Sequence, residues 1–283
     1  MPVPMLNCRR LAAAHCYNAA VDALSLFKRH FGIQVGGPPD QVLEAVVTAF
    51  SRLPYENITK IIKRAECGSP GKSRRYPEEV IRDHIAWGSG GTCFSLTSAL
   101  RQLVRSLGWE AEYILADRRY GQDTHCALLL RIEGVPHLLD PGFLIVKPIP
   151  LRPGAEREIR TGFNRVVLAP EGQKDRVSLS TIGQSSRTCR LTYKTSPVDE
   201  GEFFRAWDAS FGWDMMRYPL LTRAAANSQI YFRGSRLQVS SAGKIEKSEI
   251  PDDGLAARIA AEFSINPSVV ARAISILKTG VRH

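Results

Sequence analysis

The chain has 283 residues, of which 44% are hydrophobic and 23% charged, enough apolar material for a sizeable core and too little net polarity for disorder. Its formal net charge of +10 is mostly spread out, with one cluster at Lys72, Arg74 and Arg75. Such a balance suits an anionic partner, but no zinc-finger spacing, RNP-type aromatic motif or recognition helix accompanies it, which argues against nucleic acid as that partner. No run approaches the roughly 18 apolar residues of a membrane span, which argues against a membrane.

In chain order, residues 11–31 have apolar positions at helical spacing, and Gly32 ends the run. Asp40, after the Gly-Gly-Pro-Pro turn at 36–39, is the expected N-cap of a second helix carrying Val42, Leu43, Val46, Val47 and Phe50. Residues 64–77 are polar, Gly-rich and basic, hence a loop, and Pro77-Glu78 opens a third helix. A fourth follows Cys93, with Leu96, Ala99, Leu100, Leu103, Val104 and Leu107 on one side and Gly108 at its end. Strands are expected at 110–116, 124–132, 135–140, 156–168 and 187–193, forming a small antiparallel sheet or barrel. The pattern turns helical at 203–213, then gives short strands at 230–232 and 237–239, and two closing helices at 254–263 and 267–277.

Six cysteines are present, at positions 8, 16, 67, 93, 126 and 189, with no CxxC pair and no metal-ligand spacing. They are expected to be reduced thiols, with no metal bound. The N-terminal charges come too late for a secretory signal, so a soluble cytoplasmic protein is expected.

Ser89-Gly90-Gly91-Thr92-Cys93-Phe94-Ser95 places a thiol at a helix start behind two glycines. Unpaired N–H groups and the helix dipole there favour the thiolate, which is the nucleophilic form. The glycines would let backbone approach a substrate closely. Downstream, Thr124 to Ile132 and Val135 to Asp140 are joined by Glu133-Gly134. A two-residue loop sets Ile132 opposite Val135 and Asp140 opposite Ala127, so His125 and Asp140 share a face as diagonal neighbours about 7–8 Å apart at the backbone. That is side-chain reach for a carboxylate orienting an imidazole. Cys93, His125 and Asp140 thus have the makings of a nucleophilic triad: thiolate attack, proton transfer and orientation. Cys126 alternates to the opposite face and is expected in the core; His30 and His84, near helix ends, are expected at the surface, and His137 is expected away from Asp140.

These segments, with Leu53-Pro54-Tyr55-Glu56-Asn57-Ile58, Pro148-Ile149-Pro150-Leu151, Arg233-Gly234-Ser235-Arg236-Leu237 and a late helix reaching Phe263-Ser264-Ile265, resemble the arylamine N-acetyltransferases. The resemblance implies an α+β fold with a papain-like cysteine-triad core. Its parts would be an N-terminal helical bundle with the nucleophile (1–106), a central antiparallel β-barrel with the His and Asp (107–200) and a C-terminal α/β lid (201–283). It also implies that acetyl-CoA is a cosubstrate rather than a permanent cofactor, and that Cys93 passes its acetyl group to a small amine or hydrazine. Coenzyme phosphates would suit the basic charge; Lys147 and the 72–75 cluster are nearest to hand, and neither is assigned. Four positions depart from the family pattern. Its Arg before the Cys and Glu after it are Ser89 and Ser95, which reads as joint loss of an ion pair. Thr92 precedes the Cys, and Leu144 stands where a glycine is usual. An amide synthase of natural-product assembly, a transglutaminase-like or peptidase-like hydrolase, and a binding protein without turnover are the alternatives. Oligomeric state is not readable.

Overall fold

The computed structural model describes residues 22–280 except 35, 146, 153, 161, 162, 173, 174, 184, 185, 226, 242 and 243. Six helices come first: α1 (Ala23–Phe31), α2 (Pro39–Phe50), α3 (Ile58–Cys67), α4 (Pro70–Ser73), α5 (Pro77–Trp87) and α6 (Cys93–Ser106), with a two-residue strand β1 (Tyr55–Glu56) before α3. Asp22 caps α1, accepting from Ser25 N at 2.9 Å. The part of the expected first helix before residue 22, with Cys8, His15 and Cys16, lies outside the described residues. Two expectations are corrected. Asp40 sits in the first turn of α2, not at its cap, because Pro39 already opens the helix without an N–H to satisfy. The expected loop at 64–77 contains the end of α3 and the short α4, since Gly68 stops α3 in a left-handed conformation (φ 72°) and Pro70 restarts helix.

Eight strands then form one antiparallel sheet: β2 (Ala111–Arg118), β3 (Gly121–Ile132), β4 (Val135–Leu139), β5 (Ile149–Pro150), β6 (Arg157–Arg160), β7 (Arg165–Pro170), β8 (Arg176–Ile182) and β9 (Arg187–Lys194), in the order β5-β4-β3-β2-β9-β8-β7-β6. The expected barrel is an open, curled half-barrel: among the described residues no pairing joins its edge strands β5 and β6. The single strand expected at 156–168 is the hairpin β6–β7. After α7 (Glu200–Ala209) and two 3-10 turns comes a five-stranded sheet of β10 (Leu220–Ala225), β11 (Ser228–Arg233), β12 (Arg236–Ser241) and β13 (Lys244–Glu249), with β1 on the outer side of β10. Helices α8 (Leu255–Phe263) and α9 (Pro267–Thr279) close the chain.

Three apolar clusters hold this together. The first unites α1, α2, α5, α6 and α7 with Cys126, Leu128 and Leu130 of β3. The second joins Ile58 and Ile62 of α3 to the five-stranded sheet, α8 and α9. The third fills the curl of the large sheet and includes Ala127 and Leu129. Strand β3 is therefore buried on both faces, which explains its near-continuous apolar sequence. Its alternation sends Cys126 towards the helices and His125 towards the curl.

Candidate active site

Helix α6 begins at Cys93, with Thr92 extended at the cap position and making no side-chain cap bond (φ −84°, ψ 173°). Behind it, Gly91 N donates to Pro54 O at 3.2 Å and Glu56 N to Gly91 O at 2.9 Å. The glycine pair was expected to make room for a substrate; instead it makes room for the protein. A Cβ on Gly90 would lie 1.8 Å from Pro54 O, and one on Gly91 2.2 Å from Ser95 Oγ.

The β3–β4 hairpin has the expected register, with Ile132 opposite Val135 and Leu128 opposite Leu139. Its loop residues Glu133 (φ 51°) and Gly134 (φ 77°) are both left-handed, the two-residue geometry that suits strand twist. One step past the ladder, Asp140 and His125 are both fully buried, and His125 Nε2 donates to Asp140 Oδ2 at 2.6 Å. Asp140 is itself fixed: Tyr193 of β9 donates its hydroxyl to Oδ2 at 2.6 Å, and Phe143 N donates to Oδ1 at 2.9 Å. Gly142 lets the 141–143 turn lie across the site; a Cβ there would stand 2.8 Å from Cys93 Cβ and 3.0 Å from His125 Cε1. The next residue but one, Leu144, is held at φ 61° and buried, an uncommon conformation for a branched side chain.

Electrostatics brings the parts together. Burial alone would depress the basicity of His125, but the Asp140 carboxylate overrides it, and with Arg118 opposing, the pKa stands raised to about 9. The Cys93 thiol is held well below the ordinary thiol range, first by a hydrogen bond from Cys126, then, against the cost of burial, by the bond and charge of His125 and the charge of Arg118. Cys126 Sγ lies 3.5 Å from the Thr97 hydroxyl. Cys126 is buried as expected, yet it borders Cys93 rather than filling a remote core position.

Sequence reasoning missed other residues here. Arg118, at the end of β2, sets Nη2 3.0 Å from His125 Nδ1. Arg75 is 3% exposed; it bonds Gly90 O at 2.6 Å, Asp83 at 2.7 Å and the Thr59 hydroxyl, and pairs with fully buried Glu56 at 3.5 Å. A guanidinium is thus present at the Gly90 carbonyl, while Ser89 Oγ is buried without a partner among the described residues. Within the 72–75 cluster, Arg75 is internal and Arg74 is bonded to Asp208 at 2.6 and 2.7 Å, while Lys72 is exposed; Lys147 faces Glu44 at 3.2 Å. His84 is half-buried rather than at the surface, donating from Nδ1 to Ser89 O at 2.9 Å. Lys60 is buried, with Nζ 2.5 Å from Ser210 Oγ and 4.4 Å from the Phe211 ring centre, and burial lowers its pKa to about 7. Among the described residues no cluster of His, Cys, Asp and Glu has the arrangement to hold a metal, and no helix is long and apolar enough to cross a membrane.

A thiol at a helix start, an imidazole beside it and a carboxylate behind the imidazole define the thiol-nucleophile class of sites. The N-acetyltransferase family profile matches residues 41–269, so the chain belongs to that family, which bears out the resemblance drawn from its motifs. A relative named proansamycin X synthase, from Amycolatopsis mediterranei (strain S699), is 24% identical over 192 residues, covering 62% of this chain and 72% of its own length. Among solved structures, an arylamine N-acetyltransferase of Mycobacterium smegmatis superposes with a TM-score of 0.72 at 21% identity, over 90% of this chain and 98% of the other. The Mycobacterium marinum enzyme in complex with CoA gives 0.75 at 16% identity, with the same coverage. An arylamine N-acetyltransferase of Bacillus cereus, described as having a Cys-His-Glu triad, gives 0.68 at 16% identity, over 87% of this chain and 99% of the other. At these identities the structures establish a shared fold.

Proposed function

We propose that the chain is an acyltransferase in which Cys93 is the nucleophile, His125 the acid and base and Asp140 its orienter, and that it moves an acetyl group from acetyl-CoA to a small amine or hydrazine. The observation that carries this reading is the convergence of the three groups: His125 Nε2 meets Asp140 Oδ2 at 2.6 Å, and Cys93 Cβ and His125 Cε1 both lie within 3.0 Å of the point a Cβ on Gly142 would occupy. The Cys93 thiolate attacks the acetyl carbonyl carbon, the bond to the coenzyme sulfur breaks, and the departing thiolate takes a proton from His125. The amine nitrogen then attacks the Cys93 thioester and gives His125 a proton, and Cys93 leaves as thiolate. Structures of the same fold named for arylamine N-acetylation, one of them holding CoA, support the choice of donor and acceptor.

A second reading has its own support. The relative named proansamycin X synthase is named for a product rather than for acetyl transfer. Leu144 also puts a buried branched side chain where the family pattern has glycine. On this reading the acyl group is larger, arrives on a carrier and is joined to an amine as an amide.

Intact-mass measurement after incubation with acetyl-CoA separates the two. A gain of one acetyl group, absent in Cys93→Ala, supports the first reading. No gain, with Cys93 still modified by iodoacetamide, rejects acetyl-CoA as donor and leaves carrier-bound donors or hydrolysis.

A further inference from the structure

We infer that Arg118 is a positioning residue that keeps His125 Nδ1 unprotonated once Cys93 is acylated, so that His125 is ready to accept the proton of the incoming amine. The inference rests on the acyl-transfer reading above.

A guanidinium has N–H donors and no acceptor. Its 3.0 Å contact with His125 Nδ1 therefore requires a lone pair on that nitrogen. On the other side, Asp140 Oδ2 at 2.6 Å requires a proton on Nε2. Donor on one edge and acceptor on the other select one neutral tautomer, with Nδ1 free to take a proton. The groups facing His125 are Cys93 from α6, Arg118 from β2, Asp140 from the turn after β4 and Tyr193 from β9. Of these, Cys93 and Asp140 favour a charged imidazole and Arg118 opposes it.

Two occupants thus compete for Nδ1: a proton shared with the Cys93 thiolate, and an N–H of Arg118. In the unacylated enzyme the Cys93 thiolate pulls a proton towards Nδ1 while the Arg118 contact opposes it. Acylation turns that thiolate into a neutral thioester, its pull on the proton disappears, and the Arg118 contact takes over. An imidazolium could not serve as base at that stage; the neutral form does. When the amine nitrogen bonds to the thioester carbon, its proton passes to Nδ1 and the C–S electron pair returns to Cys93. The guanidinium, displaced from Nδ1, becomes the counter-ion of the thiolate. Arg118 is well suited to this shift: its Nε is buried with no hydrogen-bond partner among the described residues, and the groups that offset its burial are Tyr120, Tyr55, Cys93 and Asp140.

The test is a pH titration of the histidine ring nitrogens by NMR, on enzyme labelled with nitrogen-15 histidine and capped at Cys93 with iodoacetamide as a neutral stand-in for the acyl group. The chain has six histidines, and His125→Gln assigns the relevant signal. In the capped wild type at neutral pH, Nδ1 of His125 is expected to give the shift of an unprotonated nitrogen; a protonated Nδ1 overturns the inference without any variant of Arg118. Arg118→Met is expected to raise the His125 midpoint by about one pH unit or more, with Arg118→Lys keeping most of the wild-type value. The acidic limb of the amine-transfer step is expected to move with it. A folded Arg118→Met protein with an unmoved midpoint also overturns it. Because the titration needs no acyl donor, failure of acetylation by acetyl-CoA would sink the proposed function and leave this result standing on its own.

Discussion

His125 and Lys60 are buried side chains of opposite tendency, and together they shape how stability changes with pH. His125 is raised from 6.5 to about 9, so its contribution is fully present below pH 6.5 and is lost as pH rises through 9. Lys60 is lowered from 10.5 to about 7, so the folded state sheds a proton that the unfolded state keeps, and stability rises with pH across that interval. Between pH 7 and 9 the two slopes oppose. Cys93, held below its ordinary thiol range, adds a slope of the same sign as Lys60, so in Lys60→Met urea-unfolding free energy is expected to rise less from pH 7 to 9 than in the wild type, while in His125→Gln it is expected to rise over the same range. Parallel pH profiles for both variants and wild type would show that neither group titrates as described. The placing of Cys93, His125 and Asp140 side by side was legible in the sequence because each position depends on a local rule: a helix start, a two-residue turn and a period of two. Arg118 and Tyr193 were not, because their reach depends on strand pairing. Ala116 lies opposite His125 across β2 and β3, and the Arg119-Tyr120 link between those strands carries no turn signal. Tyr193 comes from β9, 53 residues beyond Asp140.

At the level of elements, the start of α6 is fixed by a buried charge network. Arg75 precedes α5, Asp83 lies on it, Glu56 belongs to β1 and Thr59 to α3, so one guanidinium links three elements to the Gly90 carbonyl. Arg75→Met leaves Glu56 and Asp83 without their cation, and the expected cost is about 3–5 kcal/mol by urea unfolding. Adding Glu56→Gln removes one stranded charge and is expected to recover part of the loss. A single-variant cost within experimental error of zero would mean the network does not hold the nucleophile's approach segment. The inward role of Arg75 was not legible in the sequence: it lies in a basic stretch that looks like solvated loop, and only packing turns it inward. Other elements escaped for simpler reasons. Strand β8 alternates apolar and polar residues in Arg-Val-Ser-Leu-Ser-Thr-Ile and was there to be found, whereas β13, Lys-Ile-Glu-Lys-Ser-Glu, is exposed at every position and leaves no hydrophobic signature.

Across the whole molecule, the helices around Cys93 and the C-terminal sheet meet at Asn57. Its Nδ2 donates to Met215 O at 2.5 Å and Tyr218 O at 2.8 Å, and its Oδ1 accepts from Leu220 N at 2.8 Å. Next to it, β1 pairs with β10, Tyr55 opposite Thr222 and Glu56 opposite Leu221, while Tyr55 also bridges Gly91. Tyr55-Glu56-Asn57 is thus a seam with the nucleophile's approach on one side and the five-stranded sheet on the other. A side-chain amide that satisfies three backbone groups replaces the ladder where β1 ends. Asn57→Ala strands those groups in a partly buried place, at about 1–3 kcal/mol for each one left unsatisfied. If the seam carries the coupling, hydrogen exchange of this variant should quicken together in β10, β11 and the segment from Gly90 to Cys93, while β7 and β8 keep their protection. Faster exchange confined to β10 would mean that the sheet and the nucleophile's approach open independently, and that Asn57 merely ends a strand.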